Sequence, residues 1–314
     1  MKASATRGRI VLGLTALAVT LGRLMSKDLL ATVPPGQLLL LQLAGSCTFV
    51  WSAVVATGAW PRGRAALTAA LLGAVQHGAA WFLVLGALSR LPAGLETLLE
   101  TTESLVVMVL AVPSFGERPA SARWPLVFGG AVGVALLTIP GTAGQLPDPS
   151  GLLMAAGTVA LGAIDTLVSR RLVTATHPIA VAAAGQTGAL FAVAIVAHLM
   201  ETAAPVGLGK LDWATILASG VLLHGLATLL FNLSLRLSGA AGVALVFPLT
   251  AAGTALGGVI VFAEPVSPAK LLGTALLLGS LAAAQRGVPG DGPAPPASCG
   301  YRDSPRPLRS VTVP

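Results

Sequence analysis

Three of the chain's six glutamates fall within eight residues, in the stretch ETLLETTES that runs from Glu96 to Ser104. Spacings of four and three residues place Glu96, Glu100 and Glu103 within about 60° on one face of an α-helix. Val107 and Leu110 continue that stripe in apolar form. Carboxylates stacked in this way repel one another. They can exchange a proton, hold a cation or act as a paired acid and base. Other polar residues in apolar surroundings could join them: Arg23, Asp165, His77, His224, Trp81 and Asn232. Arg23 is the natural counter-charge for a buried carboxylate. Lys27, four residues on, is expected to reach outward to water beside Asp28. Glu96 is expected at the outer interface near Arg90, with Glu100 and Glu103 deeper. His77 shares a helical face with Trp81, and His224 shares one with Thr228 and Phe231, with Asn232 at its edge. An aromatic ring beside a histidine suits a cationic or amphipathic ligand, and it suits interhelical packing equally well. The four histidines are scattered, and Cys47 and Cys299 are far apart, so neither a metal nor a cofactor is expected.

The elements that position these groups must lie in a membrane. The chain is 54% hydrophobic and 10% charged, with mean hydropathy +0.84, whereas a soluble globule carries about 25% charged residues. A net charge of +7 would suggest nucleic acid in a soluble protein. Here its placement matters more, and no nucleic-acid partner is expected. The apolar run after Lys2, Arg7 and Arg9 continues to about Met25 and reads as a retained span, not a cleaved leader. A helix needs about 20 apolar residues to cross a bilayer. Breaks at proline, glycine and charge then give spans at 9–29, 37–57, 65–88, 93–113, 122–140, 151–171, 178–200, 213–235, 240–262 and 268–286. With the N-terminus in the cytoplasm, 14 lysines and arginines fall on the inner side and four on the outer, leaving Arg23 within the first span. That bias predicts both termini inside the cell (inner or plasma) membrane. Residues 1–8 form the cytoplasmic N-terminus. Residues 287–314, rich in proline and glycine, form a disordered cytoplasmic tail.

The two halves repeat each other. SKDLLATVPP from Ser26 matches SRRLVTATHP from Ser169, and GAVQHG from Gly73 matches GVLLHG from Gly220. Glu117 and Glu264 close the fourth and ninth spans at the same offset. Five spans per repeat is an odd number, so residues 151–286 must insert inverted relative to residues 9–140. The expected fold is an all-α integral membrane protein with ten transmembrane helices as two inverted five-helix repeats. The pairs Gly129/Gly133 and Gly253/Gly257 suit close helix contact. Internal packing is the preferred reading of Gly253/Gly257, with a homodimer face as the alternative.

This layout, with SFGERP (Ser114–Pro119) and VFAEPVSP (Val261–Pro268), resembles the EamA-type branch of the drug/metabolite transporter superfamily. The second repeat carries Pro248 in VFPLT, where the first has ETTES. The resemblance implies a carrier moving small metabolites, usually outward. The expected function is therefore a secondary transporter exporting small metabolites such as amino acids by alternating access, driven by proton exchange or by the substrate gradient. The acidic stripe together with Arg23 would suit a zwitterion. An efflux carrier for organic cations or drugs is the alternative, and an integral-membrane enzyme ranks last. The expected partners are a small-molecule substrate and the lipid bilayer. The substrate and proton pathway is expected to run past Glu96, Glu100, Glu103, Arg23, Asp165, His77, His224, Trp81 and Asn232.

Overall fold

A computed structural model describes residues 2–103, 105–106, 124–137, 146–199, 207–234 and 246–286. Among the described residues every regular element is helical. These are α1 (Lys2–Leu29), α2 (Pro35–Thr57), α3 (Gly63–Leu88), α4 (Ala93–Glu100) and α5 (Trp124–Leu137), then α6 (Pro149–Ala175), α7 (Pro178–Leu199), α8 (Lys210–Ser234), α9 (Val246–Phe262) and α10 (Pro268–Arg286). Among the described residues, five stretches are long and apolar enough to cross a membrane: Ile10–Leu29, Pro35–Thr57, Gly63–Leu88, Pro178–Leu199 and Lys210–Ser234. The chain is a multi-pass membrane protein. Helix α1 begins at Lys2, so the N-terminal segment at residues 1–8 is helical from its second residue. Ser114–Pro119, with Glu117, and the tail from 287 lie outside the described residues, as do Val107 and Leu110.

Local chemistry sets the helix ends. Pro35, Pro149, Pro178 and Pro268 each open a helix, where the missing N–H costs nothing and φ is already helical. Gly58 ends α2 at φ 68°, a left-handed value that favours glycine, and donates its N–H to Val54 O. Asp148 caps α6, accepting from Ser150 N at 2.7 Å and Gly151 N at 3.3 Å. The Ser150 hydroxyl also donates to it, and these bonds hold the exposed Asp148 carboxyl below its ordinary range.

Two helices depart from α geometry at matched places. Ala74–Ala80 in α3 and Val221–Leu226 in α8 are π-helical, and each contains one of the twin histidines. Such wide turns concentrate at functional sites.

Packing depends on small residues. A Cβ on Gly73 would run into the Gly185 backbone, and one on Gly220 into the Gln42 backbone. These repeat-related positions let α3 press on α7 and α8 press on α2. Gly253 faces Thr20 and Gly257 faces Leu24, so the pair seats α9 on α1. Gly129 and Gly133 meet Ser280 and the Gly273–Leu277 turn, joining α5 to α10. Both small-residue pairs therefore pack internally. In a bilayer, where lipid tails are as apolar as leucine, such close approach supplies much of the association energy. We expect Gly73→Ala and Gly220→Ala each to destabilise the protein by about 1–3 kcal/mol through overpacking. Gly279→Ala, whose Cβ would meet nothing within 4 Å, should be neutral. Thermal unfolding of the three variants in detergent checks this.

Candidate functional site

The acidic stretch folds differently from a continuous stripe. Helix α4 stops at Glu100, and Thr101 and Thr102 form a turn before helical geometry resumes at Glu103. Each threonine hydroxyl donates to the carbonyl three residues back, Leu98 O and Leu99 O respectively, both at 2.6 Å. Threonine side chains compete in this way with the helical ladder. Thr101 occupies the place that Pro248 holds in the second repeat, so two hydroxyls here accompany a break where proline would enforce one.

Glu96 is the clearest correction. It is not hydrated near Arg90 at the interface but fully buried, 0% exposed. Arg90 instead donates to Gly86 O at 2.9 Å. The partner of Glu96 is Arg23, itself 2% exposed, whose Nη1 donates to Glu96 Oε2 at 2.9 Å and to Thr97 Oγ1 at 3.1 Å. Arg23 Nη2 donates to Glu100 Oε2. One guanidinium thus bridges two carboxylates one helical turn apart, which replaces their mutual repulsion with shared attraction. The expected carboxylate partner of Arg23 is present, and it is double.

Trp81 backs the arginine. The guanidinium carbon lies 5.2 Å from the Trp81 ring centroid, and His224 meets the same indole edge-on at 4.7 Å. His224 is fully buried, and neither ring nitrogen has a hydrogen-bond partner among the described residues. Its carbonyl accepts from Gln186 Nε2 at 2.9 Å, so a side chain of α7 satisfies a backbone group within the π-helical turn.

A cavity of about 160 Å³ opens beside this group. Arg23, Glu100, Glu103, Asp165, His77, Trp81 and Asn232 all line it, whereas Glu96 and His224 lie behind its wall. Glu103, 5% exposed, crosses to α6, where its carboxylate packs on Gly162. Asp165 does not pair with Arg23; it accepts from Ser169 Oγ at 3.1 Å. Asn232 Nδ2 donates to Pro178 O at 3.4 Å. Among the described residues the lining holds one arginine against three carboxyl groups, and that arginine is already engaged.

Lys27 also departs from expectation. It does not reach outward to water but folds onto the α3–α4 turn, donating to Leu88 O at 2.5 Å and Leu91 O at 2.7 Å. Exposed carbonyls at a helix C-terminus attract a cation, and here they outcompete the solvent. Sequence reasoning missed this contact and the Thr101–Thr102 turn. It also missed Gln42, buried between Ser26 Oγ and Ser219 Oγ at 2.8 Å each. Gln186 stands one residue past the place that matches Gln42 in the other repeat, and that near-match was the available signal.

Removing one member of a buried ion pair strands its partner, at a cost of about 3–5 kcal/mol. Arg23→Gln should therefore lower stability by roughly that amount, because two carboxylates lose their partner. Glu96→Gln should cost less, because Glu100 still holds the arginine. Thermal unfolding of both variants in one detergent measures the difference.

Three comparisons with known proteins bear on this arrangement. No curated protein matches the chain in sequence. A solved structure described only as "Crystal structure of protein" shares the fold, with a TM-score of 0.64, 20% identity, and coverage of 87% of this chain and 94% of that one. The model of the EamA-like transporter family matches twice, over residues 6–139 and 149–284. Those two matches coincide with the two internal repeats and cover most of the sequence. The chain belongs to the EamA-like transporter family, within the drug/metabolite transporter superfamily.

Proposed function

We propose that the protein is a secondary carrier that exports small metabolites across the cell membrane by alternating access. In this reading ten transmembrane helices form two inverted five-helix repeats, at 9–140 and 151–286, with both termini and the tail from 287 in the cytoplasm. The matched π-helical turns support the repeat. So do the reciprocal contacts of α2 with α8 and α7 with α3. The asymmetry of lysine and arginine supports the orientation. The observation that carries the proposal is the cavity itself. Residues from both repeats build its wall, and its charged groups sit where the bilayer makes charge expensive, at about 2.5–3.5 kcal/mol each. Buried charge without a water-filled or ligand-filled space to serve would be pure cost.

The cargo follows from the balance of charge among the described residues of the wall. An amino acid needs a cation for its carboxylate, and Arg23 is held by Glu96 and Glu100. Glu100, Glu103 and Asp165 line the same space. Within the class of small metabolites, this balance favours the second reading: amines and other organic cations over zwitterions. At roughly 10–15 Å³ for each water-sized group, the cavity has room for about ten such groups. The carboxylates bind either the cation or a proton, and this competition couples the two flows. Cargo binding should therefore weaken as the pH falls.

Two experiments test these readings. Single cysteines in a Cys47- and Cys299-free protein should be labelled from the cytoplasm at His177 and from outside at Asp148; the opposite result at either position overturns the topology. In proteoliposomes, tetraethylammonium and putrescine should be transported in preference to leucine. Glu100→Gln/Glu103→Gln should slow that transport at least about tenfold and flatten its pH profile, as expected for loss of charged hydrogen-bond partners. Wild-type rates with an unchanged pH profile in the double variant would make the carboxylates structural.

A further inference from the structure

Glu264 reaches across the fold to the start of α4. Its Oε1 accepts from Ala93 N at 2.6 Å, and its Oε2 lies 3.3 Å from Gly94 N. A helix N-terminus carries unpaired N–H groups and a partial positive charge, which a carboxylate satisfies. The approach is purpose-shaped. A Cβ on Gly258 would stand 2.6 Å from Glu264 Oε2, and one on Gly94 would stand 2.9 Å from Ala255 Cα. Ala263, next to Glu264, has φ 50°, the only positive φ outside glycine among the described residues. Strained backbone of this kind persists where the surroundings enforce it, and it clusters at switching segments.

Lys27 holds the other side of the same turn, through Leu88 O and Leu91 O. The seven residues Leu88–Gly94 are thus gripped twice. A cation from α1 sits on the carbonyl end of α3, and an anion from the end of α9 sits on the amide end of α4. Around this grip, at the same end of the bundle, packs an apolar layer that includes Leu29, Val33, Leu38, Leu85, Leu88 and Ala93. The cavity begins one helical turn deeper, at Arg23 and Thr97, and extends toward the opposite end of the bundle. It is lined by the early residues of α7 and α9 and by the late residues of α6 and α8, at the ends of those helices remote from the Glu264 turn.

We infer that Lys27 and Glu264 are the latch of the gate on this side of the membrane. They tie α1 and α9 to the α3–α4 turn, keep the apolar layer shut over the cavity, and must let go for the carrier to expose the cavity on this face. The grip is polar and contributed by one residue from each repeat, so it can be released without unpacking either repeat. This inference uses the transport assignment but no residue of the cargo site.

The test reads accessibility and needs no substrate. A membrane-impermeant maleimide is applied from the latch side to vesicles of known sidedness that carry a single cysteine at Leu38, in the apolar layer. Glu264→Gln and Lys27→Gln should each speed labelling about tenfold, the loss expected for a hydrogen bond to a charged group. Labelling of a cysteine at Leu172, in the cavity lining, should not accelerate from the far side. Lys27→Arg, which keeps a cationic donor, should stay near the parent rate. Gly258→Ala, whose methyl group crowds the Glu264 carboxylate, reaches the same bond by a second route if Glu264→Gln inserts poorly. Unchanged labelling at Leu38 in correctly inserted variants would overturn the latch. So would equal acceleration at both cysteines, which would mean general loosening.

Discussion

The cost of placing a guanidinium inside a membrane protein governs much of this architecture. Arg23 is all but inaccessible, and nothing in a lipid interior offsets its lost hydration. Two carboxylates, a threonine hydroxyl and an indole face replace that water. Each replacement comes from a different demand on the fold. α4 must begin at Ala93 so that Glu96 and Glu100 face α1, and α3 must present Trp81 from the other side. α1 must approach both closely enough for the guanidinium to reach them, while Gly22 lets the same helix press on α8 at Leu223. The ion cluster is therefore less a source of stability than a constraint that fixes how three helices meet.

That constraint connects to the cavity through Glu100. Glu96 is sealed behind Arg23, whereas Glu100 is 15% exposed on its side chain and forms part of the cavity wall. One arginine thus joins a purely internal carboxylate to one that a solute can reach. The Trp81 indole, touched by Arg23 on its face and by His224 at close range, ties the same wall to the second repeat. A change in occupancy at Glu100 would be felt by α1, α3 and α8 together. Such shared contacts are what a carrier needs if binding is to bias which side of it is closed.

Much of this was legible in the residues, and the reasons differ from feature to feature. The helices, their proline starts and the repeat could be read because apolar run length and duplicated motifs are local properties of a sequence. Arg23 was identified because an isolated arginine in an apolar span demands a counter-charge. What could not be read was which carboxylate would answer. Glu96 seemed interfacial from its distance along the chain to Arg90, yet burial depends on what α1 and α9 place over it. Lys27 misled for a similar reason. Snorkelling is the rule for a lysine at a span end, and only the tertiary fold brings the Leu88 and Leu91 carbonyls within its reach. The break after Glu100 was hidden because threonine carries no obligatory signal comparable to proline.

The paired π-helical turns also record something about origin. A π turn accommodates one more residue than the α turn it replaces, so each marks a local insertion into an older helix. The segments beginning at Ala74 and Val221 sit at corresponding points of the two halves, each around a histidine. Two independent insertions would have had to strike the same turn of the same helix in each half. A single irregular turn in an ancestral unit, followed by duplication and fusion, accounts for both. On that history the irregular turn is older than the two-repeat protein.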